Sequence, residues 1–145
     1  MKMKIKKFYE DAIVPQYQTQ GAAGFDLCAY IKEPETIPAG GIKAFKTGIG
    51  VEIPEGCELQ IRSRSGLAYK NFITLLNGIG TIDSDYRGEI QVLLKNCGSE
   101  DFVVEPGMRI AQGIVTRYER VEWEEVSELS NSDRSTQGFG HTGLK

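Results

Sequence analysis

Short alternating runs separated by turn signals constrain this chain more than any other feature of its sequence. Ile49, Val51 and Ile53 alternate with Gly50 and Glu52, and Pro54-Glu-Gly56 then turns the chain. Cys57, Leu59 and Ile61 alternate with Glu58, Gln60 and Arg62. Ile90, Val92 and Leu94 repeat the pattern before Asn96-Cys-Gly98 closes it. Period two sends one row of side chains to a core and the other to water, as in a half-buried strand. Glu105-Pro-Gly107 marks a further turn, and Met108, Ile110, Gln112 and Ile114 are expected on one face of the next strand. Helical periodicity is nearly absent. Only residues 65–71 are expected to form a short helix, with Ser65 as its cap. Strands and turns at this spacing favour an all-β sandwich or jelly-roll barrel.

A chain of 145 residues makes one domain, and 17 glycines with 5 prolines fit many turns. The composition changes at Ser127, where serines give way to glycines with no apolar period. Residues 1–126 are therefore expected to be the folded domain and residues 127–145 a flexible tail. The net charge of −3 argues against coating nucleic acid or a membrane surface, since both need a basic excess. Met1 to Lys7 is basic, but Phe8-Tyr-Glu-Asp11 follows where a signal peptide would be apolar, and no apolar run is long enough to span a bilayer. Cys28, Cys57 and Cys97 are odd in number and widely spaced. They fit reduced thiols in a cytoplasmic protein better than disulfides or a metal clip.

Residues 77–88, Asn-Gly-Ile-Gly-Thr-Ile-Asp-Ser-Asp-Tyr-Arg-Gly, have the character of a site. Gly78 and Gly80 let a ligand or a second backbone approach a strand closely. Asp83 follows the apolar Ile82 and can serve as a general base on water, and Tyr86 offers a ring to stack on a sugar or base. A β-hairpin whose Asp and Gly residues serve only the turn is the alternative. In the tail, Arg134, Phe139 between Gly138 and Gly140, and His141 combine charge, ring and permissive backbone. Such a segment suits closure over an anionic, aromatic ligand.

Five segments in order resemble the motifs of the trimeric dUTPases, the deoxyuridine triphosphate nucleotidohydrolases. They are Gly21-Ala-Ala-Gly-Phe-Asp-Leu27, Arg64-Ser-Gly-Leu-Ala68, the central stretch, Arg109-Ile-Ala-Gln112, and Arg134 with Gly138-Phe-Gly-His-Thr-Gly143. The resemblance implies an all-β, jelly-roll-like barrel, a homotrimer with active sites shared between subunits, and hydrolysis of dUTP to dUMP and pyrophosphate with Mg²⁺. That reaction limits uracil in DNA and supplies dUMP for thymidylate synthesis. It also implies roles. Asp83 matches the general base, Tyr86 the ring beneath deoxyribose, and Asn77 and Gly80 the hairpin that reads uracil. Arg64, Ser65 and Gly66 match the phosphate-binding turn, and Gln112 a polar contact to the phosphates or metal-bound water. Asp26 matches an acid near the metal, acting through water. Arg134, Phe139, Gly140 and His141 match the tail that clamps the γ-phosphate and covers the base, with His141 where many relatives have serine. Mg²⁺ binds such substrates mainly through phosphate oxygens and water, so no dedicated protein cage is required.

Arg109 is expected to make a structural ion pair, at a subunit interface, rather than to bind phosphate. Ser63, Gly113, Ser135 and Gln137 depart from the family pattern without removing a reacting group. A sibling deoxycytidine triphosphate deaminase is disfavoured, because Leu93 stands where its catalytic glutamate would and Tyr86 where it usually has tryptophan. A regulatory protein that keeps the fold to sense nucleotide or bind a protein partner stays open.

Overall fold

The computed structural model of the chain describes residues 1–133, 135 and 136. Among these the chain forms β1 (Lys4–Lys7), β2 (Phe25–Cys28), β3 (Glu35–Ile37), β4 (Ile42–Lys46), β5 (Ile49–Glu52), β6 (Cys57–Arg62) and α1 (Ser65–Asn71). It continues with β7 (Ile73–Leu75), β8 (Ile79–Ile82), β9 (Gln91–Asn96), β10 (Phe102–Val104) and β11 (Arg109–Arg117). The strands pair antiparallel in a four-stranded sheet of order β2-β11-β6-β8, a three-stranded sheet of order β4-β9-β7, and the pairs β1-β5 and β10-β3. This is the all-β, jelly-roll-like architecture expected, with the pairings divided among several sheets.

Leu27, Leu59 and Ile61 from the larger sheet join Phe45, Val92, Leu94 and Ile73 from the smaller one in a single buried core. The alternation read in β6 and β9 holds. Cys57, Leu59 and Ile61 are buried, as are Val92, Leu94 and Asn96. Asn96 occupies an inward position yet is fully satisfied. Its amide donates to Ile37 O at 3.1 Å and Glu100 O at 2.8 Å, and its oxygen accepts from Gly98 N at 2.9 Å. The turns at Gly56 and Gly107 both use left-handed backbone, with φ of 75° and 74°.

Three local expectations need correction. The β11 register shifts between Arg109 and Ala111, so Ile110 and Ala111 are both buried and Gly113 follows them inward, while Gln112 and Ile114 are only half-buried. A bulge reverses the facing of every residue beyond it, which is why Met108, Ile110, Gln112 and Ile114 do not share a face. In α1 the extended cap residue is Arg64, not Ser65, which is the first helical residue, and no side chain bonds the cap. Residues 77–80 do not form a hairpin either: β7 pairs with β9, β8 pairs with β6, and the chain crosses from one sheet to the other at Gly78.

Beyond β11, Val121 and Val126 are exposed and Trp123 is 93% exposed on a segment without regular structure. Among the described residues no helix is long and apolar enough to cross a membrane.

Candidate active site

The first motif, the turn before α1 and the start of β11 meet at one carboxylate. Asp26 lies on β2 between the buried Phe25 and Leu27, so the strand directs it to the opposite face. Its Oδ1 lies 3.2 Å from Arg64 Nε and its Oδ2 3.0 Å from Arg109 Nη1, with the Asp26 side chain only 13% exposed. Arg64 Nη1 also donates to Arg109 O at 2.7 Å, closing the cluster. Arg109 thus finds its ion-pair partner within its own chain, where an interface pair was expected. Gln112 sits opposite Asp26 in the β2–β11 register and opposite Arg62 in the β11–β6 register. Its Nε2 donates to Ser63 O at 2.9 Å, and a Cβ on Gly24 would stand 3.0 Å from its Oε1.

Ser63 has a role that its departure from the family pattern did not reveal. Its hydroxyl accepts Leu75 N at 3.0 Å and lies 3.0 Å from Thr74 Oγ1, tying the turn before α1 to β7. Ser65 and Gly66 follow, both exposed, and a Cβ on Gly66 would meet nothing within 4 Å. Nearby, burial pushes the Cys28 thiol up, with the Asp26 charge adding to the effect and the Arg109 and Arg64 charges opposing it.

The second group of residues lies along β8. Among the described residues this is the edge strand of its sheet, so one row of its N–H and C=O groups faces away from β6 without a strand partner there. Gly78, at φ 70°, precedes it, and Ile79 N donates to Asn77 O at 2.8 Å. A Cβ on Gly80 would stand 3.2 Å from Ile61 Cβ and 3.3 Å from Asn77 Nδ2, so the glycine keeps room for the asparagine amide. At the far end Asp83 opens a turn closed by Tyr86 N to Asp83 O at 3.1 Å. Arg87 Nη1 staples it by donating to Ser84 O at 2.6 Å and Tyr86 O at 3.0 Å, which gives Arg87 a structural place. Asp83 and Tyr86 line one hollow of about 220 Å³ with Thr81, Ile82, Glu89, Ile90 and Gln91. Tyr86 is 43% exposed, not a core aromatic, and its hydroxyl donates to Glu89 O at 3.0 Å.

Within one chain the β8 group approaches the first group at its Gly80 end but not at Asp83. Ile82 is opposite Leu59 and Ile79 opposite Arg62, so Asp83 and Arg64 leave opposite ends of the paired region. Six register steps separate them, about 20 Å along the strands. Arg134, Phe139, Gly140 and His141 lie outside the described residues. Glu89 is the site-lining residue that sequence reasoning missed. Its only signal was a carboxylate wedged between Gly88 and the start of an apolar run.

A β scaffold that presents a carboxylate beside an open hollow and a separate guanidinium cluster is suited to positioning water and an anion. Comparison with known proteins makes the identity specific. The dUTPase family model matches residues 10–143. The deoxyuridine 5'-triphosphate nucleotidohydrolase of Rickettsia felis is 52% identical over 143 residues, covering 98% of this chain and 97% of that protein. The same enzyme of Rickettsia bellii is 53% identical over 131 residues, covering 90% of this chain and 87% of its own. The dUTPase of Staphylococcus bacteriophage 80alpha, solved with dUpNHpp, superposes with a TM-score of 0.89 at 24% identity over 99% of both chains. That of Streptococcus mutans gives 0.75 at 28% identity, covering 82% of this chain and 98% of its own. The chain belongs to the dUTPase family.

Proposed function

We propose that the protein hydrolyses dUTP to dUMP and pyrophosphate. The observation that carries this reading is the hollow shared by Asp83 and Tyr86, in a chain matched almost end to end by nucleotidohydrolases of that specificity. Asp83 orients a water and takes its proton as the water attacks the α-phosphorus. Tyr86 lies against the deoxyribose, where a 2′-hydroxyl would clash. Asn77 and the free backbone edge of β8 around Gly80 bond the uracil edge, and a mismatched base leaves those groups unpaired. Arg64, Ser65, Gly66 and Gln112 hold the phosphate chain and its leaving pyrophosphate. Residues 127–145, with Arg134, Phe139, Gly140 and His141, form a separate tail that closes the site.

The donor set fits Mg²⁺ only through water. Both Asp26 oxygens already face guanidinium groups, and among the described residues no three His, Cys, Asp or Glu side chains could hold a metal. Bound between phosphate oxygens and water, Mg²⁺ would neutralise charge on the triphosphate. A dUTPase of phage phi11 of S. aureus is described as coordinating a structural Mg(II) ion, at 20% identity to this chain. The distance between Asp83 and Arg64 within one chain supports a site shared between subunits, and the homotrimer is what membership of the family implies. The free cysteines and the nucleotide substrate support a cytoplasmic location.

Pyrophosphate release from dUTP, dCTP, dTTP and UTP with Mg²⁺ tests this reading. Release from dUTP alone is expected, and Asp83→Asn should lower it at least about a hundredfold while nucleotide still binds. Undiminished release in Asp83→Asn would remove the general base, and no release from dUTP would remove the reaction.

A further inference from the structure

Glu89 lines the same hollow as Asp83 and Tyr86, but its carboxylate points elsewhere. Its side chain is 12% exposed, and its Oε1 accepts Gly48 N at 2.9 Å in the turn between β4 and β5. Gly48 is buried and has φ of 73°. A Cβ there would stand 2.7 Å from Ala12 Cβ and 3.1 Å from the Tyr30 ring. That N–H loses its acceptor if the carboxylate leaves. The next residue continues the attachment. Ile90 O accepts Thr47 N at 3.1 Å and Thr47 Oγ1 at 2.8 Å, and Ile90 N donates to Ile49 O at 2.9 Å. Gly50 completes it, because a Cβ there would lie 2.8 Å from Gly88 O.

The peptide fixed by these bonds is the one that Tyr86 depends on. The Tyr86 hydroxyl donates to the Glu89 carbonyl, and the same hydroxyl crowds the place where a Gly88 side chain would be. The ring is thus held at both ends, by its own backbone near Asp83 and by its hydroxyl on residue 89. We propose that Glu89 is a positioning residue that sets the Tyr86 ring and thereby the discrimination between deoxyribose and ribose. This rests on the reading of the chain as a dUTPase. The interaction that matters is the acceptor that residue 89 offers to Gly48 N, not the ion pair with Lys46. The Lys46 ammonium is 3.8 Å from Glu89 Oε2 and half exposed, and such pairs contribute little.

The test compares kcat/KM for dUTP and UTP in the wild-type chain and four variants. Glu89→Gln keeps an oxygen for Gly48 N and should stay within about twofold of wild type in the dUTP:UTP ratio. Glu89→Ala removes it and should lower that ratio about tenfold, more than it lowers turnover of UTP. Tyr86→Phe, which cuts the hydroxyl bond from the other side, should lower the ratio likewise. Thr47→Val should lower it by a smaller factor, since the Thr47 N–H bond survives. A ratio unchanged in Glu89→Ala, however slow the enzyme becomes, overturns the proposal, as does a Gln variant as permissive as Ala. If Glu89→Ala does not fold by thermal melt, Thr47→Val decides alone, and an unchanged ratio there overturns the proposal. Should the wild-type chain not hydrolyse dUTP, the functional reading fails separately. Calorimetric binding of non-hydrolysable dUTP and UTP analogues to the same variants then gives the ratio for Glu89.

Discussion

Asp26 places a guanidinium on each of its two oxygens, and that double use decides what its loss would do. In Asp26→Ala, Arg64 and Arg109 keep their charges but lose the shared acceptor that orients them. Urea unfolding should show a loss of about 1–3 kcal/mol, nearer the lower figure because Arg109 is half exposed. A second carboxylate behaves differently. Asp11 accepts Tyr30 OH at 2.7 Å and Lys32 Nζ at 2.9 Å, and the Lys32 bond, then the Tyr30 bond, lower its pKa from 3.8 to about 2. A carboxyl lowered on folding stabilises the fold above its unfolded value, and that contribution fades as pH falls from 3.8 toward 2. Amide exchange in residues 8–12 should therefore be faster in Asp11→Asn than in wild type at neutral pH, with the difference gone near pH 2. Neither arrangement was legible in the sequence. Asp26, Arg64 and Arg109 stand far apart in the chain, and only the β2–β11 register and the turn after β6 bring them together.

The elements were more legible than their joints. Alternation located β6 and β9 because both bury one face, and Pro54-Glu-Gly56 and Glu105-Pro-Gly107 turn where their composition requires. The joints failed where tertiary pairing overrode local pattern. The bulge in β11 is set by two neighbouring strands, and the crossing at Gly78 depends on which sheet each flanking strand joins. Gly113 is a product of that packing. A Cβ there would stand 2.5 Å from Phe25 Cε2 and 3.0 Å from Leu59 Cδ1, so the Phe25 ring fills the space that a larger residue would need. Gly113→Ala should lower stability by about 1–3 kcal/mol through overpacking, measured by thermal or urea unfolding. Gly66→Ala, facing open space, should leave stability within about 0.5 kcal/mol.

The separation of Asp83 from Arg64 gives a test of the proposed assembly. If one subunit supplies Asp83 and another Arg64, Asp83→Asn and Arg64→Ala chains should each be inactive alone yet complement each other. Co-refolded at equal amounts, they should recover about a quarter of wild-type activity, the fraction of sites receiving both intact residues. No recovery would place a whole site within a single chain. Trp123 offers a second test of the proposed assembly. It is the chain's one tryptophan, set on the exposed segment beyond β11, so its emission in a lone subunit is that of an indole in water. A neighbouring subunit covering that segment would shift the emission to shorter wavelength, and dilution would reverse the shift. Trp123 would thus serve as an intrinsic fluorescent gauge of the proposed association, readable without a label or substrate.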